Sequence, residues 1–157
     1  AGIIEAAYLE DGMTIELIGD GKHVPKEAVF LALKIKGADK IALISDALRP
    51  AGTDVKESYL GEKTPENRVI IEDGVAKMPD KSVYAGSIAT CGICAKTMHL
   101  KYGISLADTI KMLTQTPAKI MKLGNKGNLK KGFDADIVIL DKELNAEKVF
   151  SMGNLVD

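Results

Sequence analysis

Apolar and polar positions alternate over Met13-Thr-Ile-Glu-Leu-Ile18, with Ile15 and Leu17 on one side, and this period of two predicts a strand. Gly19-Asp20-Gly21 ends it. Pro25 suits the first turn of a helix, where its missing N–H costs nothing. Lys26 to Lys36 supplies good helix formers, with Val29, Leu33 and Lys36 at helical spacing and Gly37 as the stop. Ile41-Ala-Leu-Ile44 is an unbroken apolar run that halts at Ser45-Asp46, with Pro50 and Gly52 close behind. A short apolar run bounded by turn residues predicts a strand buried on both faces, as in parallel sheets covered by helices. Strand, helix, strand is the βαβ unit, whose strands run parallel. The two strand ends, near Asp20-Gly-Lys-His23 and near Ser45-Asp46, therefore fall on the same edge of the sheet.

Further along, Ala51 to Asn67 is polar and irregular. Arg68–Ile71 and Gly74–Lys77 flank Asp73-Gly74, a good hairpin turn, and predict a small excursion over about 68–78. Lys81 to Tyr102 reads as Tyr84-Ala-Gly-Ser87 leading into a helix that ends at Gly103. Ser105-Leu-Ala-Asp108 resembles a capping box, and Leu106, Ile110 and Leu113 form the expected buried stripe of its helix. Thr116-Pro117 reads as the cap and first residue of another helix, which stops at Gly124. After Gly124 the texture changes. Gly127-Asn-Leu129, Ile137–Leu140 and Val149-Phe150 predict short strands separated by charged turns, so residues 125–157 form a small β segment distinct from an α/β part over 1–124.

Composition narrows the function without naming it. The 157 residues suffice for one domain with a real core, and 46% hydrophobic with 27% charged is ordinary for a globular protein. A net charge of -1 argues against nucleic-acid and membrane partners. No apolar run approaches the roughly 20 residues of a membrane helix, and no signal-peptide pattern opens the chain. Two cysteines are too few for a disulfide scaffold, which makes a cytoplasmic location the expectation. The chain opens on Ala1 without an initiator Met, as a segment of a longer polypeptide does.

Several residues could carry chemistry. Asp46 stands at the carboxyl edge of a parallel sheet, where ligands bind in open sheets and barrels; capping of the following turn is the competing reading. His23, at the neighbouring strand end, could polarise a carbonyl or shuttle a proton, or simply bond to backbone. The two together strengthen the functional reading of each. Gly86-Ser87, read as preceding a helix, could offer backbone N–H groups to an oxyanion or a sugar hydroxyl, and Ser87 could equally be an ordinary N-cap. Cys91-Gly-Ile-Cys94 falls a turn into the predicted helix and has no second C-x-x-C, so two small buried helix residues explain it. His99 suits a helix C-terminus, and Asp134-Ala-Asp136 suits a turn. With only two His residues, a catalytic zinc site of three protein ligands is not expected within this chain.

These pieces together resemble the C-terminal part of the N-acetylglucosamine-6-phosphate deacetylases, in the amidohydrolase superfamily. Glu16 to Val24 is similar to the family's Asp-Gly-x-His-Val at the seventh barrel strand, and Ile41 to Ala47 to its eighth strand with the catalytic Asp. Pro50-Ala-Gly52, the hairpin with Asp73-Gly74, and Ala85-Gly-Ser87 with Thr90 follow in family order. Thr116-Pro-Ala118, Gly127-Asn-Leu129 and Gly132-Phe-Asp-Ala-Asp-Ile-Val138 resemble the superfamily's C-terminal signature. The resemblance covers essentially the whole chain. It implies an α/β fold: the C-terminal portion of a metal-dependent hydrolase (β/α)₈ TIM barrel over 1–124 and part of a small β-sandwich over 125–157. A complete barrel needs about 250 residues.

The resemblance also implies roles. Asp46 would deprotonate the metal-bound water and later protonate the departing amine. His23 would hold and polarise the N-acetyl carbonyl, and the backbone at Asp20, Gly21 and Lys22 and at Tyr84, Ala85 and Gly86 would line the sugar pocket. The substrate would be an amino-sugar phosphate, and the products acetate and glucosamine 6-phosphate. The family uses a divalent metal such as zinc, whose ligands, a Glu and two His, would lie outside this chain, and its members are commonly homodimers. Two departures stand out: Pro25 follows His23-Val24 where many members have a second His, and Ser45 replaces the commoner Thr before the catalytic Asp. Two alternatives stay open: an amidohydrolase acting on another N-acetyl sugar or a cyclic amide, and a non-catalytic α/β structural or assembly module. A pair of adjacent barrel strands leaves edges unpaired, so self-association, or association with the rest of a barrel, is expected.

Overall fold

A computed structural model describes residues 2–156. Helix α1 (Ile3–Leu9), which the sequence pattern did not suggest, leads to strand β1 (Ile15–Ile18), helix α2 (Lys26–Lys36), a 3₁₀ turn (Ala38–Lys40) and strand β2 (Ile41–Ile44). β1 and β2 pair in parallel with Ile15 opposite Ile41 and Ile18 opposite Ile44, so the expected βαβ unit is present. Gly37 ends α2 at φ 70 with its N–H on the Leu33 carbonyl. Lys36 is buried at the end of α2 because its ammonium donates to the Ala7 and Glu10 carbonyls at 3.0 and 2.7 Å, tying α1 down.

Strands β3 (Glu57–Tyr59), β4 (Arg68–Glu72), β5 (Val75–Lys77) and β6 (Tyr84–Ser87) form one antiparallel sheet in that order. The excursion is thus larger than the expected hairpin. It recruits β3 from the stretch that looked irregular, and Tyr84–Ser87 is a strand rather than the approach to a helix. Helix α3 (Cys91–Lys96) starts later than the pattern suggested and runs into a π turn (Thr97–Lys101). Its cap is Thr90, whose hydroxyl accepts the Ile93 N–H.

Helix α4 (Leu106–Leu113) is capped by Ser105, as expected, but its buried positions are Thr109 and Met112, and Leu106 faces solvent. Helix α5 (Gln115–Ile120) is capped at Thr114, not Thr116. Thr116 lies inside the helix, buried, because its hydroxyl donates to the Ala38 carbonyl at 2.7 Å. Strands β7 (Ile137–Leu140), β8 (Ala146–Ser151) and β9 (Asn154–Val156) make a three-stranded antiparallel sheet, and Gly127-Asn-Leu129 is not a strand. The core gathers Leu17, Val29, Ala32, Ile41, Leu43, Cys94, Met98 and Met112, from both parallel strands and the helices around them.

Candidate active site at the carboxyl ends of the parallel strands

The site begins where β1 ends. Gly19 continues the ladder by donating to the Ile44 carbonyl at 2.9 Å, and it must be small: a Cβ there would meet the Leu43 side chain at 2.7 Å. The next residue, Asp20, turns its side chain inward until it is 1% exposed. Its Oδ1 accepts the backbone N–H groups of Lys22 and His23 at 2.9 and 3.0 Å. Its Oδ2 lies 2.6 Å from His23 Nδ1. Burial alone would raise the Asp20 carboxyl, but the backbone donations from His23 and Lys22 and the His23 ring outweigh it and hold the group below its ordinary value of 3.8. Gly21 makes the tight turn at φ 71, with Thr97 closing the space above it.

Strand β6 brings Tyr84 against this loop. Its ring meets His23 edge-on, centroids 5.3 Å apart at 65°. Ala85 follows half-buried, and Gly86 is buried at φ 153, where a Cβ would strike Leu48 at 2.9 Å. Ser87 is buried too, and its hydroxyl accepts the Ala89 N–H, so it caps no helix. Lys22 stays exposed, its stem near the Gly74 turn of the excursion.

Asp46 occupies the matching position two residues beyond the end of β2. It is exposed and sits in the left-handed region at φ 50, unusual for a residue with a side chain. Among the described residues no hydrogen bond or ion pair holds its carboxylate. The neighbouring Ala47 forms a parallel bridge to Ser87, and the Leu48 N–H donates to the Ser87 carbonyl at 2.8 Å. The ends of β1 and β2 and the end strand of the excursion sheet thus converge, and with them all eight candidates: Asp20, Gly21, Lys22, His23, Asp46, Tyr84, Ala85 and Gly86.

Other candidates fall elsewhere. Cys91 opens α3 directly, exposed, rather than lying a turn into it. Cys94 is buried against the Ile44 carbonyl at 3.7 Å, and burial pushes its thiol up to about 12. His99 Nδ1 bonds the Ile104 carbonyl at 2.8 Å. Asp134 and Asp136 pair with Lys126 at 2.9 and 2.5 Å, which is turn chemistry. A groove of about 460 Å³ between α4, α5 and β7, lined by Ile110, Thr114, Leu129, Ile137 and Leu140 among others, contains none of the site residues. The described residues hold no group of three or more His, Cys, Asp or Glu placed for a metal ion. The residues present therefore do not make a metal site by themselves. What the sequence reading missed is the carboxylate of Asp20, taken there only as backbone. The signal was available in Asp-Gly-Lys-His, since an Asp readily accepts backbone N–H groups two and three residues on.

A parallel β-α-β unit with an acid and a histidine at its carboxyl edge places both where ligands bind in α/β sheets, and the chain belongs to the Amidohydrolase family, whose profile matches residues 2–156. Among curated proteins it is 34% identical over 154 residues to an N-acetylglucosamine-6-phosphate deacetylase of Lysinibacillus sphaericus, covering 98% of this chain and 38% of that one. It is 30% identical to an N-acetylgalactosamine-6-phosphate deacetylase of Escherichia coli O157:H7, covering 98% and 40%. The crystal structure of an N-acetylglucosamine-6-phosphate deacetylase from Thermotoga maritima superposes with a TM-score of 0.87 at 30% identity, covering 98% of this chain and 41% of that one. The chain thus spans about two-fifths of the length of these relatives.

Proposed function

We propose that this chain carries part of the active site of an amide hydrolase that removes the N-acetyl group of N-acetylglucosamine 6-phosphate, giving glucosamine 6-phosphate and acetate. The observation that carries the reading is Asp46: an exposed, unengaged carboxylate in a left-handed conformation, beside a histidine anchored at the adjacent strand end. Asp46 takes a proton from the attacking water and returns it to the departing amine. His23 holds the acetyl carbonyl, and the loops at Asp20–Lys22 and Tyr84–Gly86 line the sugar. In this reading residues 1–124 are the C-terminal portion of a (β/α)₈ barrel, with the four-stranded sheet as an insertion, and residues 125–157 are part of a β-sandwich. A divalent metal would be held by groups outside this chain. The location is the cytoplasm, in keeping with two free cysteines.

The exposed apolar residues Ile3, Ile4 and Leu9 on α1 and Phe30, Leu31 and Ile35 on α2 support association with further polypeptide or a second copy. A dilution series by light scattering tests it; a folded monomer at all concentrations would contradict it.

The test of the activity is acetate release from N-acetylglucosamine 6-phosphate by the complete native polypeptide that contains this chain. Release is expected. The E. coli relative makes the 4-epimer, N-acetylgalactosamine 6-phosphate, the comparison substrate, and a preference for it would move the assignment to that sugar. No release from either sugar would favour a non-catalytic module.

A further inference from the structure

The anchoring of His23 decides more than its position. Asp20 already accepts two backbone N–H groups on Oδ1, and with the ring beside Oδ2 these donors favour the ionised form. An ionised carboxylate can only accept, so the 2.6 Å contact to Oδ2 requires a proton on His23 Nδ1. In the neutral ring Nε2 then has a lone pair and no proton. A carbonyl oxygen is itself an acceptor, so a ring in that state cannot hold it. The ring can hold a carbonyl only when Nε2 is protonated as well.

We infer that Asp20 is a positioning residue that locks the proton on His23 Nδ1, so that His23 grips the acetyl carbonyl through Nε2 as an imidazolium with Asp20 as its buried counter-charge. The inference rests on the deacetylase reading for the identity of the carbonyl and on the structure alone for the tautomer. The loop geometry supports it. Asp20 cannot swing away, because its other oxygen is pinned by Lys22 and His23 N–H groups and Thr97 closes the space over Gly21. Tyr84 meets the ring by an edge contact, which fixes the plane of the ring from its other neighbour.

The charged and titratable groups around the pair are few. Lys22 lies on the same loop, Tyr84 comes from β6, and Asp46 stands at the end of β2. Lys101 reaches within 3.8 Å of where a Gly21 Cβ would be. Cys94 from α3 feels the Asp20 charge, but with its thiol at about 12 it stays neutral. Asp20 is therefore the carboxylate in hydrogen-bond contact with the ring.

The test is nitrogen-15 NMR of the imidazole rings in the complete native polypeptide that contains this chain, with His23→Gln identifying which signals belong to His23. In the neutral ring Nδ1 is expected to carry the proton and Nε2 to be bare. A neutral ring protonated at Nε2 with Nδ1 bare would overturn the inference. In Asp20→Asn the side-chain amide can donate to Nδ1, and the neutral ring is expected to switch to Nε2–H. An unchanged tautomer in a folded Asp20→Asn would equally overturn it. If that variant does not fold, the tautomer in the unaltered polypeptide still decides. The measurement involves no sugar, so a failure of the acetate assay leaves it standing, and the reverse.

Discussion

Strands β1 and β2 run side by side in register, and each delivers an acid two residues past its end. Their treatment is opposite. Asp20 is buried, accepts two backbone N–H groups and a ring nitrogen, and belongs to the architecture of its loop. Asp46 is exposed, bound to nothing among the described residues, and held in a left-handed conformation that costs roughly 1–2 kcal/mol for an ordinary side chain. The same residue type at the same place on neighbouring strands thus serves two ends. One acid is committed to holding a histidine; the other is left free, which is what a proton carrier needs.

The contrast can be broken by substitution. Next to Asp46 itself, the largest expected effect is on catalysis in the complete polypeptide: His23→Asn should lower turnover by about 10²–10³-fold, the usual loss when a donor to a reacting carbonyl is removed, as steady-state acetate release would read. Next comes stability. Asp20→Ala strips the acceptor from two backbone N–H groups and should cost about 1–3 kcal/mol, seen as a fall in thermal midpoint by circular dichroism. Asp46→Gly should have the opposite sign, a gain of up to about 1 kcal/mol, because glycine relieves the φ of 50 and no hydrogen bond or ion pair among the described residues is lost. Equal losses at both positions would erase the distinction.

Two smaller effects sharpen it. The Asp20 carboxyl is depressed in the folded chain, so its contribution is present above the ordinary value of 3.8 and is lost as pH falls below that and through the folded value. Acid titration of the thermal midpoint should therefore be shallower below pH 3.8 in Asp20→Asn than in the parent. Finally, a brief iodoacetamide treatment of the native chain should label Cys91 and spare Cys94, whose thiol is buried and pushed up to about 12. Equal labelling, read by peptide mass spectrometry, would show that the packing against the Ile44 carbonyl behind Asp46 is not held.

The sequence was most legible where one local pattern dictates one structure. Ile41–Ile44 is continuous and apolar, and it could only be a strand covered on both sides; its pairing with β1 placed Asp46 and His23 on one edge. Tyr84–Ser87 was not legible, because what makes it a strand is pairing with Val75–Lys77 and the close approach of Leu48 to Gly86, neither of which leaves a local trace. That misreading moved the start of α3 and put Cys91 inside a helix that it actually opens. Thr116 looked like a cap because Thr-Pro so often is one. Its hydroxyl instead finds the Ala38 carbonyl, 78 residues away along the chain, a partner no window could show. The same holds for α4, where Thr109 rather than Leu106 is buried as the helix packs on β2 and the 3₁₀ turn.

The central claim is that Asp46 moves the proton while Asp20 and His23 hold the substrate. The most direct measurement is acetate release by the complete polypeptide carrying Asp46→Asn, alongside its affinity for N-acetylglucosamine 6-phosphate. The amide cannot take a proton, so turnover should fall by about 10²–10⁴-fold with affinity nearly unchanged. Turnover equal to that of the unaltered enzyme would contradict the account.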